Sequence, residues 1–391
     1  MTKATPSTDR RAVIVGYARS PFTPATKGAL AQVRADTMAA EVVKALLKKT
    51  KVKPADIEDL IVGCAFPEGE QGFNVARLIG FLAGLPLSVG GMTVNRFCGS
   101  SMQAVHIAAG AIATGAGEAF ICAGVESMSR VPIGGFNPMP NPELYKTYPE
   151  AYMGMGETAE NVAKKYKIAR AEQDAFAVES QHKAGIAAAK GLLKDEIVPI
   201  TTKHGVISED GCLRPDTTVS GLGDLKPAFD KDGSVTAGTS SPLTDGSAAV
   251  LVVSEEFAKK HKLPILARIV SSAVSGCSPD IMGMGPVEAT EKALKRAGLK
   301  LKDIDVVELN EAFSAQSLGV IKALKLDVKK VNLDGGAIAL GHPLGATGAR
   351  IVGKAASLLE RTKGRYALAT QCIGGGQGIA TILERPSKEE I

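Results

Sequence analysis

Tryptophan is absent from this 391-residue chain, and aromatic residues of all kinds make up only 4% of it. No run of Lys and Arg is interleaved with aromatics, so the chain lacks the stacking, phosphate-binding surface of a nucleic-acid-binding protein. No stretch is long and apolar enough to form a transmembrane segment, and residues 1–11 carry no signal-peptide apolar core. The last residues, Glu389-Glu390-Ile391, form no peroxisomal address. The six cysteines (Cys64, Cys98, Cys122, Cys212, Cys277 and Cys372) show no CxxC pair and no metal-ligand spacing. Neither a disulfide framework nor a metal is expected, and the thiols suit a reducing, cytoplasmic setting. Charge of one sign is also scarce. The net +5 comes from lysines spread through helical segments, ordinarily a solvated face, with at most a bias toward anionic ligands.

What the chain does have is hydrophobic content and a repeat. At 45% hydrophobic and 22% charged it can build two or three domains with real cores. Leu47-Lys48-Lys49 returns as Leu294-Lys295-Arg296, 247 positions on, followed by Val52-Lys53 as Leu299-Lys300 and Asp56-Ile57 as Asp303-Ile304. In the same register, read without a gap, Cys98-Gly99-Ser100-Ser101 falls on Gly345-Ala346-Thr347-Gly348, and Val125 falls on Cys372. A unit this long predicts two similar domains facing each other rather than a solenoid. The copies differ in Cys98, Asn310, His342 and Cys372, and unequal reactive groups on a duplicated scaffold suggest an enzyme.

Apolar runs alternate in period. Strands are expected at 12–15, 60–64, 92–95 and 119–123, with helices at 37–49, 74–83 and 100–114 between them. The pattern restarts near residue 269 with helices 287–297, 315–324 and 346–359 and strands 306–309, 366–371 and 378–383. This predicts an α/β fold with a mainly parallel sheet. Residues 126–236 follow neither copy. They open with an irregular Pro/Gly/Asn/Met-rich stretch, 132–156, expected to be a binding lid. Helices near 158–167 and 171–189 follow, then a loop-rich segment to 232. The expected division is 1–125 and 237–268 for the first domain, 126–236 for the insertion, and 269–391 for the second domain.

Cys98 lies where a strand turns into a helix, among small neighbours. That turn should expose the thiol, aim free N–H groups at it and lower its pKa. A nucleophile and a small buried hydrophobe are equally good readings of it. Cys372 ends a strand and enters Ile373-Gly374-Gly375-Gly376, whose amides can face a ligand, although taken alone a structural hairpin turn is the better reading. Of the five histidines only His342 is surrounded by glycines. No Gly-Lys-Ser/Thr follows, so that run is no phosphate loop. Asn310 follows a strand directly, which fits either a site residue or a helix cap.

Taken together, Asn95-Arg96-Phe97-Cys98-Gly99-Ser100-Ser101, Asn310-Glu311-Ala312-Phe313, Gly335-Gly336-Ala337-Ile338-Ala339-Leu340-Gly341-His342-Pro343 and Cys372-Ile373-Gly374-Gly375-Gly376 resemble the thiolase signatures, in order. Met155-Gly156-Glu157-Thr158-Ala159-Glu160 and Thr236-Ala237-Gly238-Thr239-Ser240-Ser241 extend the resemblance into the insertion. It implies the thiolase fold, two βαβαβαββ domains related by a pseudo-twofold axis with an inserted loop domain. It further implies Cys98 as the nucleophile and Cys372 as the acid/base. His342 and a water held by Asn310 would form one oxyanion hole, and the amides of Cys98 and Gly374 a second. Met155 and Met282 would line an acyl pocket. Ser241, Ala312 and Phe313 would line the path of the pantetheine arm, and Arg214 and Phe229 would lie near the nucleotide. Coenzyme A enters as substrate, with no metal or redox cofactor.

The resemblance also implies a homodimer or dimer of dimers, with Met92 to Phe97 near the twofold interface, and allows a β-oxidation multienzyme partner. Two departures matter. Ala346 stands where many thiolases have Cys, and Gly154-Met155 stands where short-chain enzymes carry His-Met. The first suggests that a Cys there is dispensable; the second, with Gly238-Thr239-Ser240-Ser241, favours a degradative 3-ketoacyl-CoA thiolase over an acetoacetyl-CoA thiolase. A silent CoA- or lipid-binding member is disfavoured because all four reactive positions are filled. A ketoacyl-synthase-like enzyme would need two histidines where this chain has Asn310 and Cys372.

Overall fold

The computed structural model describes residues 10–387. Most of the opening segment and the Glu389-Glu390-Ile391 tail lie outside the described residues. The chain begins with β1 (Ala12–Arg19), β2 (Thr23–Pro24), α1 (Ala35–Thr50), β3 (Asp59–Gly63), α2 (Val75–Leu82), β4 (Gly90–Val94), α3 (Ser100–Ala113) and β5 (Ala119–Ser127). The middle holds α4 (Pro142–Thr147), α5 (Met155–Lys165), α6 (Arg170–Ala189), β6 (Ile200–Thr202), β7 (Gly205–Ile207) and α7 (Val219–Gly223). Then come β8 (Thr244–Ser254), α8 (Glu255–Lys260), β9 (Ala267–Gly276), α9 (Gly285–Ala297), β10 (Val306–Leu309) and α10 (Ser314–Leu324). The chain ends with α11 (Ala337–Leu340), α12 (Leu344–Thr362), β11 (Tyr366–Ile373) and β12 (Gln377–Glu384).

One ten-stranded sheet runs β10-β11-β12-β9-β1-β8-β5-β3-β4, with β2 beside β8. Its halves mirror each other across the seam where β1 meets β9 antiparallel, at Val13↔Arg268 and Ile14↔Ala267. On either side, β8 and β12, β5 and β11, and β3 and β10 hold matching places. β4 has as its counterpart only the parallel bridge between Val307 and Val331.

The sheet is mixed, which corrects the expectation of a mainly parallel one. Among the described strand pairs β3·β4, β3·β5 and β10·β11 are parallel, each connected through helices packed on the sheet faces. The strands at the seam run antiparallel.

The repeat is also less regular than a gapless copy. β3 and β10, like β5 and β11, start 247 residues apart. The C-caps of α1 and α9, Lys51 and Gly298, keep the same spacing and share the left-handed conformation, with φ of 60° and 67°. Between those matches α2 and α10 slip out of register, and later segments restore it.

Strand alternation sorts the core into layers. Leu60, Val62, Ile121 and Leu251 face outward onto α1 and α2, while Ile61, Phe120, Val250 and Val252 face inward onto α3 and α12. In the second half Val306, Ala367 and Ala369 face that same inner layer, and Val307, Leu309 and Leu368 face α9 and α10. α3 and α12 thus form a central layer shared by both halves.

The 132–156 stretch is more regular than expected. Asn141 Oδ1 accepts from the amides of Glu143 and Leu144, at 3.0 Å each, and Pro142 opens α4 without losing a bond. The segment expected to be loop-rich includes the hairpin β6·β7 and the short α7.

Candidate active site

Four chain segments end at one place, where strands of the second half meet the starts of the two central helices. Asn310 follows β10, and its N–H donates to Thr370 O on β11 (3.0 Å). Its side chain caps no helix, since α10 starts only at Ser314. Cys372 lies one residue before the end of β11. The turn from β11 to β12 places Gly375 and Gly376 at φ of 77° and 83°, the region glycine enters most freely.

Cys98 precedes α3, after an unusual residue. Phe97 sits at φ 43°, a left-handed conformation costing of order 1–3 kcal/mol in a non-glycine residue. It is held by its N–H donating to Asn95 Oδ1 (2.8 Å) and its carbonyl accepting from Ser100 Oγ (2.6 Å). From β11, Gln371 donates its side-chain amide to the Cys98 carbonyl.

Small residues let the two helix starts approach. Ser101 Oγ accepts the Ala349 N–H (2.8 Å), joining α3 to α12. A Cβ at Gly345 would lie 2.7 Å from the carbonyl oxygens of Gly63 and Val125. Buried Glu126, at the end of β5, accepts from the amides of Gly345 (2.8 Å), Ala65 (2.8 Å) and Phe66 (3.2 Å) and from Gln71 Nε2 (2.9 Å). One carboxylate therefore clasps the start of α12 to the loop after β3.

The electrostatics correct one expectation. Cys98 is buried, 7% exposed, and burial pushes its thiol up to about 11. The N–H groups of Gly374 and of Cys98 itself act on the sulfur in the opposite sense, while the Glu126 charge adds to the rise. The helix-start amides are present, but desolvation outweighs them. Cys372 is held well above the usual thiol range, first by burial and then by the neighbouring Cys98. Burial holds His342 down to about 4, so its ring is neutral near pH 7. The His342 ring lies between Thr347 Oγ1, 2.6 Å from Nδ1, and Asn310 Nδ2, 3.4 Å from Nε2. Asn310 Oδ1 is a buried acceptor with no protein partner.

An apolar wall closes one side. Cys372, Met282, Ala312 and Phe313 share a buried cluster, with Met155 packed against it. Met155 Sδ would lie 3.4 Å from a Cβ at Gly374. Ser241 joins this wall through its N–H to Ala312 O (2.9 Å), and the Phe229 ring meets Phe313 edge-on at 5.8 Å. Arg214 stands apart. Its N–H donates to Gln181 Oε1 (2.8 Å), its side chain is exposed, and no bond ties it to the cluster.

Glu126, Thr244, Thr347 and Gln371 escaped the sequence reading. A lone carboxylate ending the apolar run 119–125 was a usable signal for Glu126. Nothing local marks Thr347 or Gln371. Among the described residues no group of three or more His, Cys, Asp or Glu is placed to hold a metal, and no helix is long and apolar enough to cross a membrane. All six cysteines are free.

With this arrangement of two thiols, an imidazole and facing amides in view, the comparisons are direct. Residues 12–256 match the family model for the thiolase N-terminal domain, and residues 263–385 match that for the thiolase C-terminal domain. The chain belongs to the thiolase family and has its fold. It is 48% identical over 388 residues to a 3-ketoacyl-CoA thiolase of Bacillus subtilis, covering 96% of this chain and 99% of that one. It is 49% identical to a 3-ketoacyl-CoA thiolase of Vibrio vulnificus over 96% of this chain and 100% of the relative. Human mitochondrial 3-ketoacyl-CoA thiolase in complex with CoA superposes with a TM-score of 0.89 at 41% identity, covering 96% of this chain and 98% of that one.

Proposed function

We propose that this chain is a degradative 3-ketoacyl-CoA thiolase, cleaving 3-ketoacyl-CoA with coenzyme A into acetyl-CoA and a shortened acyl-CoA. The observation that carries the reading is the placement of Cys98 against the Gly374 amide and beside Cys372. The near-full-length relatives bearing that name support it.

His342 Nε2 takes the proton of the Cys98 thiol, and the sulfur attacks the 3-keto carbon. The tetrahedral oxyanion collapses and the C2–C3 bond breaks. The acyl group stays on Cys98, and the acetyl-CoA enolate leaves. The enolate is a poor leaving group unless its oxygen is stabilised. Protonated His342 and a water held on Asn310 Oδ1 supply the donors. Cys372 gives its proton to the enolate carbon. Burial and the neighbouring sulfur keep it protonated beforehand, which suits an acid. The Cys372 thiolate then takes the proton of incoming CoA. The CoA sulfur attacks the acyl-enzyme, whose oxygen is held by the amides of Cys98 and Gly374. On collapse the bond from the acyl carbon to Cys98 breaks, the shortened acyl-CoA leaves, and His342 returns its proton to the Cys98 sulfur.

Met155 and Met282 form the acyl wall, and Ser241, Ala312 and Phe313 line the pantetheine path. Phe229 and exposed Arg214 lie toward the nucleotide. The chain divides into 1–125 with 237–268, the insertion 126–236, and 269–391, as the mirrored sheet and the repeat suggest. It works as a homodimer or dimer of dimers, supported by the edge strand β4 and the exposed Phe73, Leu87 and Met92 near it. Its free thiols suit the cytoplasm.

The test measures CoA-dependent cleavage of 3-ketoacyl-CoAs from four to sixteen carbons, with exchange of acetyl-CoA methyl protons into deuterated solvent. Cys98→Ala should abolish cleavage. Cys372→Ala should still be acylated by acetyl-CoA yet lose exchange and turnover by at least about 10²–10⁴-fold. Activity confined to four carbons would mark an acetoacetyl-CoA thiolase instead, and undiminished exchange without Cys372 would refute its role.

A further inference from the structure

His342 can take a proton at Nε2 only if its resting hydrogen sits on Nδ1. Heavy atoms do not show which nitrogen carries it; the surrounding donors and acceptors decide. Thr347, 1% exposed, sits five residues beyond His342 in the first turn and a half of α12, with its Oγ1 2.6 Å from Nδ1. The same oxygen lies 3.1 Å from the carbonyl of Pro343, four residues back, to which it donates. Threonine in a helix commonly donates in this way. A hydroxyl has one hydrogen, so an Oγ1 that donates to the Pro343 carbonyl meets Nδ1 with a lone pair, which makes Nδ1 the donor. The far side of the ring agrees. Nε2 faces Asn310 Nδ2 at 3.4 Å, a donor-only group, which calls for a lone pair on Nε2. The His342 N–H donates to Thr244 Oγ1 (3.0 Å), so the backbone beneath the ring is anchored as well.

The geometry points to Thr347 as a positioning residue that holds His342 in the Nδ1–H tautomer, leaving Nε2 unprotonated and able to accept the Cys98 proton; this rests on the roles given to Cys98 and His342 above. The proton moves from Cys98 Sγ to Nε2 while the Nδ1–H to Thr347 bond stays intact. Nε2 then carries a hydrogen and becomes the donor that faces the enolate oxygen. One nitrogen serves in turn as base and as donor because the other is permanently engaged. The reverse tautomer would require Thr347 to leave the Pro343 carbonyl and Asn310 to rotate its amide. The site is closed to bulk water here, His342 being 4% exposed, so solvent does not stand in for the hydroxyl.

The experiment compares wild type with Thr347→Val, which keeps the shape and loses the acceptor, and with Thr347→Ser, which keeps the acceptor. Acylation of Cys98 by acetyl-CoA is followed in single turnover, and the tautomer is read from the nitrogen-15 shifts of labelled His342. Wild type should show a protonated Nδ1 and a bare Nε2. Thr347→Val should lose that signature and acylate about 10²-fold more slowly, with KM changed by less than about threefold. Thr347→Ser should restore both rate and signature. A Thr347→Val enzyme that keeps the wild-type rate, or a wild-type ring protonated at Nε2, would overturn the inference. If Thr347→Val does not fold, the wild-type tautomer alone decides. Wild type that never acylates at Cys98 would instead overturn the reading on which this rests.

Discussion

Replacing Gly345 by Ala tests how firmly the start of α12 is seated. The new Cβ would lie 2.7 Å from Gly63 O, 2.7 Å from Val125 O and 2.8 Å from Cys64 Cα. A carbon and a carbonyl oxygen settle at about 3.3–3.6 Å, so relief requires a shift of roughly 0.6 Å or more. All three neighbours are backbone atoms at or beside strand ends, and none can swing aside as a side chain would. The helix start must therefore move, and it carries His342 three residues upstream and the Gly345 amide clasped by Glu126. Overpacking of this kind costs about 1–3 kcal/mol. Since a misplacement of about 1 Å can cost about 10²-fold in rate, kcat should fall by roughly ten- to a hundredfold. Gly110→Ala is the control. Gly110 is exposed within α3 and a Cβ there meets nothing within 4 Å, so the variant should gain about 0.5–1 kcal/mol and keep its kcat. Urea unfolding and steady-state kinetics on both variants suffice. A Gly345→Ala enzyme with unchanged stability and kcat would show that the helix start is not fixed against the strand ends.

Burial holds His106 down to about 3, with Arg96 and Arg296 adding to the effect, and its Nε2 lies 2.8 Å from Thr381 Oγ1. The unfolded chain binds that proton below about pH 6.5 and the folded one does not, so stability is lost as pH falls, approaching about 1.4 kcal/mol per pH unit. Buried acids such as Glu308, raised to about 7, titrate with the opposite sign, so the readout is the difference between wild type and His106→Gln in urea at pH 7, 6 and 5. That difference should shift in favour of His106→Gln as pH falls, and a constant difference would refute the reasoning. At the open edge, Met92→Lys should convert a sedimenting dimer into a single chain; a wild-type protein already monomeric at micromolar concentration would end the dimer proposal.

The chain's own order was enough for much of this protein, because the information is local or periodic. Apolar runs place β10 at Val306–Leu309, and the small residues Gly99-Ser100-Ser101 place the start of α3. The return of Leu47-Lys48-Lys49 as Leu294-Lys295-Arg296 foretells two matching units, and the C-caps Lys51 and Gly298 share one conformation. The residues singled out by their glycine-rich or strand-end settings, Cys98, Asn310, His342 and Cys372, are ones the fold gathers at the ends of β10 and β11 and the starts of α3 and α12. Asn141-Pro142 carried a cap signal that composition alone obscured, so α4 was missed although its cause is local.

Strand direction needed the tertiary structure. β1 and β9 pair only because distant segments meet at the seam, and no periodicity encodes which edges join. The state of Cys98 needed it too. A helix-start turn lowers a thiol's pKa in water, but layers of sheet and helix contributed by both halves bury this one, and desolvation reverses the sign. The hydrogen bonds that orient the site are long-range for the same reason. Gln371 reaches Cys98 and Glu126 reaches Gly345 across the packed halves, contacts specified by three-dimensional packing alone.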